Sequence, residues 1–182
     1  SCRQLNRYVA SGRPTVFSLF SMDSGEGKSY LSKFFANYWE EQGLKVRIVK
    51  AGIDFDIESR QYIEAQQLSD FWIPNEAEVS ADIILIEYPA VSRASLPLPV
   101  LKQADANLLI ANACRLWRSS DNATFTPIKE AIKDTPLYLY LNNADREVVE
   151  SFTGDLPPHT PMHTFTHRLT QLGLTSKPAA IK

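Results

Sequence analysis

The run Ser24-Gly25-Glu26-Gly27-Lys28-Ser29 brings together the residue types that phosphate chemistry uses: glycine, lysine and a hydroxyl. Glycines let a backbone curl until its N–H groups converge on phosphate oxygens, and a helix opening there adds the positive end of its dipole. In such a loop Lys28 reaches the terminal phosphates and the Ser29 hydroxyl ligates Mg²⁺. The full pattern G-x-x-x-x-G-K-S/T asks for glycine at position 22, where this chain carries Met22. The flanks supply the missing context. The apolar run Val16–Phe20 precedes the loop, and Tyr30, Leu31, Phe34, Phe35, Tyr38 and Trp39 follow at helical spacing, with Gly43 as a C-terminal stop. Strand, phosphate loop and helix in that order predict nucleotide, ATP or ADP, as the ligand. The blander alternative is a glycine turn that merely contains Lys-Ser.

The elements that must hold this loop are also legible. Val46–Val49, Asp82–Ile86, Asn107–Ala111 and Leu137–Leu141 read as four further strands. Short aliphatic runs separated by helix-length segments are the pattern of a parallel sheet covered on both faces. Thr126 caps a helix that starts at Pro127 and runs to about Lys133. A less regular region carries a helix over Ser59–Ser69, then Trp72 and Pro74 in a loop, and Leu156-Pro157-Pro158 bends the chain before a last helix around Met162–Leu172. The expectation is an α/β fold with a mostly parallel, doubly wound sheet flanked by helices, of P-loop NTPase type, as a single domain over residues 1–182. Open sheets of this kind bind ligands at the carboxyl ends of their strands, where the loop at 22–29 falls.

Bulk properties narrow the setting. The 182 residues, 44% hydrophobic and 22% charged, suit one sizeable core. A formal charge of -2 and the lack of any lysine or arginine block give no reason to expect nucleic acid. Cys2 and Cys114 are too few for a disulfide scaffold and form no C-x-x-C pair, which points to a reducing, cytoplasmic setting. No apolar run approaches the ~20 residues of a membrane helix. The opening serine fits a processed chain or an excised domain, so the setting extends to the cytosolic domain of an inner-membrane protein.

The chain resembles the cytosolic P-loop domain of bacterial tyrosine kinases, which accompany chain-length-determinant membrane proteins in capsular and exopolysaccharide synthesis. That family's loop commonly reads S-x-x-P-G-E-G-K-S, and Ser21–Ser29 reads Ser-Met-Asp-Ser-Gly-Glu-Gly-Lys-Ser. The likeness continues in Glu87-Tyr88-Pro89-Ala90, in Ala104-Asp105, in Leu141-Asn142 and in an upstream Arg3-Gln4-Leu5-Asn6, which stands where the family has an assembly helix. The resemblance implies nucleotide binding by Ser24, Gly25, Glu26, Gly27, Lys28 and Ser29, Mg²⁺ held by Ser29 and Glu87, and a partner in the chain itself or a membrane-bound polysaccharide co-polymerase. Asn142, or its neighbour Asn143, falls where related ATPases recognise adenine. The related division and partitioning ATPases carry a further lysine near the start of the loop, and position 23 here is Asp23.

The departures from the family concern catalysis. Its second strand ends in Asp-x-Asp, which holds Mg²⁺ and activates the attacking group, whereas this chain continues Val49-Lys50-Ala51-Gly52. Asp54 and Asp56 follow and could serve only if the segment shifted by four residues. Glu87 replaces an aspartate, moving its carboxylate by roughly 1.5 Å, a displacement catalysis tolerates poorly. The kinases phosphorylate a tyrosine-rich tail, and the last tyrosine here is Tyr140. Lys50 either neutralises phosphate charge in place of a magnesium ligand or points into solvent beside an empty pocket. Three functions follow: a nucleotide-binding, kinase-like regulator with degenerate catalytic motifs; an active ATPase or tyrosine kinase using Glu87 with Asp54 or Asp56; or a docking pseudoenzyme without nucleotide. Arg115 and Arg118 follow the fourth strand and reach phosphate, a neighbouring subunit or solvent. Tyr88 is a phosphorylation candidate or a space-filler, and His159, His163 and His167 form a surface stripe or, less simply, metal ligands.

Overall fold

The computed structural model of the chain describes residues 2–9, 12–73 and 80–144. Five strands form one parallel sheet: β1 (Thr15–Ser21), β2 (Val46–Lys50), β3 (Ile83–Ala90), β4 (Ala106–Asn112) and β5 (Leu137–Asn142), in the order β2-β3-β1-β4-β5. All five predicted strands are present. β1 lies in the middle because the chain runs outward to β2, returns through β3, and then crosses β1 to reach β4. The sheet therefore reverses direction around β1, which puts the loop leaving β1 at the fold's natural ligand position.

Side-chain alternation explains how both faces are covered. Phe17 and Leu19 of β1, Ile83 and Leu85 of β3, and Leu108 and Ile110 of β4 join one buried cluster. It is closed by Leu31, Phe35, Ala36 and Trp39 from helix α2 (Lys28–Glu40). Phe17 and Trp39 stack with centroids 5.3 Å apart and planes 5° from parallel. Gly43 ends the α2 segment in the left-handed region at φ +82°, as its position predicts. The intervening residues Phe20, Ile84, Ile86, Tyr88 and Leu109 face the other way and pack with Ile128 and Ile132. Upstream, α1 (Cys2–Leu5) buries Leu5 in the first cluster, and Asn6 Oδ1 accepts a bond from Trp39 Nε1 at 2.7 Å.

Two helix expectations are corrected. The last described helix, α5 (Ser119–Ala131), begins well before Pro127, which lies inside it. Its start is set by Asp121, whose carboxylate accepts the Arg118 N–H at 2.8 Å in the first turn, where a negative charge also favours the dipole. Thr126 donates to Asn122 O at 2.8 Å and is not a cap. The expected helix over Ser59–Ser69 is only α3 (Arg60–Ile63), capped by Ser59, followed by a 3₁₀ turn at Leu68–Asp70. Asp70 ends the longer possibility by taking the N–H groups of Gln66 and Gln67 at 2.7 and 3.0 Å. A short helix, α4 (Leu98–Leu101), precedes β4. The expected helix at 162–172, the bend at 156–158 and the three histidines lie outside the described residues. Among the described residues no helix is long and apolar enough to cross a membrane.

Candidate phosphate-binding site

The chain leaves the carboxyl end of β1 at Met22 and turns at Gly25 and Gly27, with φ of +78° and +96°, before α2 opens at Lys28. Those angles exclude most side chains, so the two glycines are required by the shape of the loop. Met22 is 4% exposed and packs in the second apolar cluster, which gives the non-glycine residue at position 22 a core role.

Three separate elements hold the loop. Asp23 Oδ1 accepts from Ser24 N at 2.8 Å and from Ser92 Oγ, just beyond β3, at 3.0 Å. These donors hold the Asp23 carboxyl below the usual aspartate range. Glu26 is 2% exposed and pairs at 2.5 Å with Arg115 Nε, from the loop after β4, while Arg115 also pairs with Asp121 at 2.8 Å. Asn142, the last residue of β5, donates through Nδ2 to Glu26 O at 3.2 Å. A Cβ at Gly27 would stand 2.0 Å from that same Nδ2. The Glu26 side chain therefore braces the loop from behind, and Arg115 is committed within the chain. Arg118 is exposed.

Lys28 Nζ crosses the loop to donate to Ser21 Oγ, and Ser21 Oγ donates to Asp23 O at 2.7 Å. Burial pushes the Lys28 ammonium below the ordinary lysine value, while the charges of Glu26 and Glu87 oppose that shift.

Next to Lys28 lies a second polar group. Parallel pairing sets Lys50, the last residue of β2, directly opposite Glu87 of β3. Glu87 Oε2 accepts from Ser29 Oγ at 2.6 Å, Oε1 accepts from Ser32 Oγ, and Lys50 Nζ stands 3.3 Å from Oε1. Lys50 thus does not simply point into solvent. Ser32 is a member of this group that sequence reasoning missed; its spacing of three from Ser29 on one helical face was the available signal.

The other candidates separate from this group. Asp54 accepts from Lys50 N at 2.7 Å and pairs with Arg47, so it closes the turn after β2, where Gly52 takes φ +76°. Asp56 accepts from Glu58 N at 2.9 Å in the next turn. Neither has a hydrogen bond or ion pair with Ser29 or Glu87 among the described residues. Among those residues, too, no three histidine, cysteine or acidic side chains gather as a metal-holding group. Tyr88 is 1% exposed, lies 6.3 Å from Phe55 and has its hydroxyl pKa raised by burial, so it fills the core and is not presented for modification. Asn143 adopts φ +55°, and its carbonyl accepts from Cys114 Sγ at 3.3 Å.

No protein-family model matches the chain, and no curated protein matches it in sequence. Solved structures do match. The fold is similar to the kinase domain of the Escherichia coli tyrosine kinase ETK, with TM-score 0.52 and 10% identity over 79% of this chain and 74% of that one. It is equally similar to a plasmid partition protein from Borrelia burgdorferi B31 bound to AMPPNP, with TM-score 0.52 and 11% identity over 88% of this chain and 98% of the other. The likeness is one of fold: a parallel α/β sheet with a glycine-containing loop between its central strand and a helix.

Proposed function

We propose that residues 1–182 form a single nucleotide-binding, kinase-like domain whose capacity for phosphoryl transfer is weak or absent. The observation that carries this reading is the shaped loop itself, with Gly25 and Gly27 at positive φ, Lys28 beside it and α2 opening directly behind. The backbone from Ser24 to Ser29 would receive the phosphates of ATP or ADP, Lys28 would leave Ser21 for the terminal phosphate, and the base would lie toward Asn142. Release of Lys28 from a partly desolvated site onto a phosphate would strengthen the contact, because ammonium–phosphate bonds gain in a low-dielectric setting.

Weak transfer is supported by how the acids are employed. In the tyrosine-kinase family that the chain resembles, a second acidic motif at the end of the second strand holds the divalent ion and activates the attacking group. Lys50 takes that place on β2, and Asp54 is occupied by Arg47 and by the Lys50 N–H. A domain that binds nucleotide without consuming it suits regulated assembly. The likeness of Ser21–Ser29 to the tyrosine-kinase loop supports self-association, or partnership with a membrane-bound polysaccharide co-polymerase, at the cytosolic face of the membrane.

Calorimetric titration of ATP and ADP into wild type and Lys28→Ala tests the reading. Saturable binding that falls by about 100-fold in the variant, the scale of a lost charge-assisted contact, supports it. No heat with the wild type in either nucleotide refutes it and leaves a docking pseudoenzyme. Steady ATP turnover abolished by Glu87→Gln would establish an active enzyme instead.

A further inference from the structure

Magnesium in nucleotide sites is held by one or two carboxylates, a serine or threonine hydroxyl, phosphate oxygens and water, in near-ideal octahedral geometry. The donor set here does not fit that ion. The discordant group is the Lys50 ammonium, because Glu87, 6% exposed, is the carboxylate at the place and has both of its oxygens engaged. Ser29 Oγ lies 2.6 Å from Oε2, and the Lys50 ammonium lies 3.3 Å from Oε1. A divalent cation would have to displace a serine proton from the carboxylate and settle against a fixed positive charge. Like charges at that range oppose each other strongly in a partly buried site.

We infer that Lys50 is a tethered cation standing where a divalent ion would otherwise bind, so that this pocket takes its nucleotide as a metal-free polyphosphate. The inference rests on the nucleotide reading above and deepens it. Three features make Lys50 suited to the role. The β2–β3 register fixes it beside Glu87, so its position is set by backbone pairing as well as by charge. Its side chain is 23% exposed, so it is not sealed within the core. An ammonium also carries three donors, and its contact with Glu87 is an ion pair at 3.3 Å. Lys28 and Lys50 then present two positive charges to a phosphate chain from two neighbouring elements, α2 and β2.

The test is titration of ADP and ATP into the full chain and into Lys50→Ala, Lys50→Arg, Lys50→Asp and Lys28→Ala, each in Mg²⁺ and in EDTA. It is paired with Mn²⁺ titration followed by the electron paramagnetic resonance signal of the free ion. The wild type should bind within about twofold in the two buffers, and Lys50→Ala should weaken EDTA binding by about tenfold or more. Lys50→Arg keeps the charge and should keep EDTA binding. Lys50→Asp should take up Mn²⁺ and bind nucleotide only with metal, whereas the wild type should leave Mn²⁺ free. Circular dichroism of each variant separates lost binding from lost fold. Wild-type binding that disappears in EDTA alone, or Mn²⁺ uptake by the wild type, overturns the inference while leaving the nucleotide reading intact. So does a folded Lys50→Ala that binds unchanged while Lys28→Ala does not. Absence of wild-type binding in both buffers refutes the nucleotide reading, and this inference with it.

Discussion

Gly25 and Gly27 make similar demands on φ but face different surroundings, and alanine at each should separate backbone strain from crowding. At Gly25 a Cβ would meet nothing within 4 Å, so Gly25→Ala pays only for a positive φ, about 1–2 kcal/mol. At Gly27 the same Cβ would stand 2.0 Å from Asn142 Nδ2 and 2.9 Å from its Cγ. The Asn142 side chain must rotate away, losing its bond to Glu26 O, which adds about 1 kcal/mol for the bond and about 1 kcal/mol for the displaced rotamer. Gly27→Ala should therefore cost about 3–4 kcal/mol in total. Asn142→Ala alone loses the bond, about 1 kcal/mol. The double variant should be less destabilised than the sum of the singles by about 1 kcal/mol or more, because the remaining Asn142 Cβ sits at an ordinary 3.6 Å. Urea unfolding followed by tryptophan fluorescence measures all four, and a difference of this size moves a midpoint by roughly 0.5–1 M. Equal losses for Gly25→Ala and Gly27→Ala, or strict additivity with Asn142→Ala, would refute the account of the loop.

Arg115→Ala should destabilise by about 3 kcal/mol, because it strands a Glu26 that is 2% exposed. Adding Glu26→Gln should recover part of that loss, and a cost below about 1 kcal/mol in urea unfolding would show the pair to be dispensable. Asp105 offers a pH test. Burial alone would raise its carboxyl, but Arg13 and the Val16 N–H bind the ionised form and hold it below the usual range. A folded-state value below the unfolded one gives stability that is complete above the unfolded value of about 3.9 and is lost as pH falls through the folded one. Asp105→Asn should then cost about 1 kcal/mol at neutral pH, with the gap closing in acid; a gap that widens in acid contradicts the sign.

Much of the architecture was readable because it rests on local pattern. Runs such as Val46–Val49 and Leu137–Leu141 are dense enough in branched and aromatic side chains to declare strands, and the glycine loop between Phe20 and Leu31 declares its own connection. The misread helices failed for a local reason of another kind. Asp70 and Asp121 take backbone N–H groups: Asp70 cuts short the helix expected over Ser59–Ser69, and Asp121 starts the one expected from Pro127 well upstream of it. The site was half legible. Lys28, Ser29 and Glu87 follow from motif, but the contact of Lys50 with Glu87 depends on β2 and β3 pairing without offset, and no single strand contains that information. Ser32 and Arg115 were obscured in the same way, since their partners are 55 and 89 residues away.

The triple anchoring of the loop by Ser92, Arg115 and Asn142 has a thermodynamic consequence. A segment fastened at three points has little freedom left to surrender, so occupation of the loop should incur only a small ordering entropy. Each anchor also leads to a different part of the molecule: the turn after β3, the start of α5 and the tip of β5. Strain placed on the loop is therefore shared among three elements at the sheet's carboxyl edge.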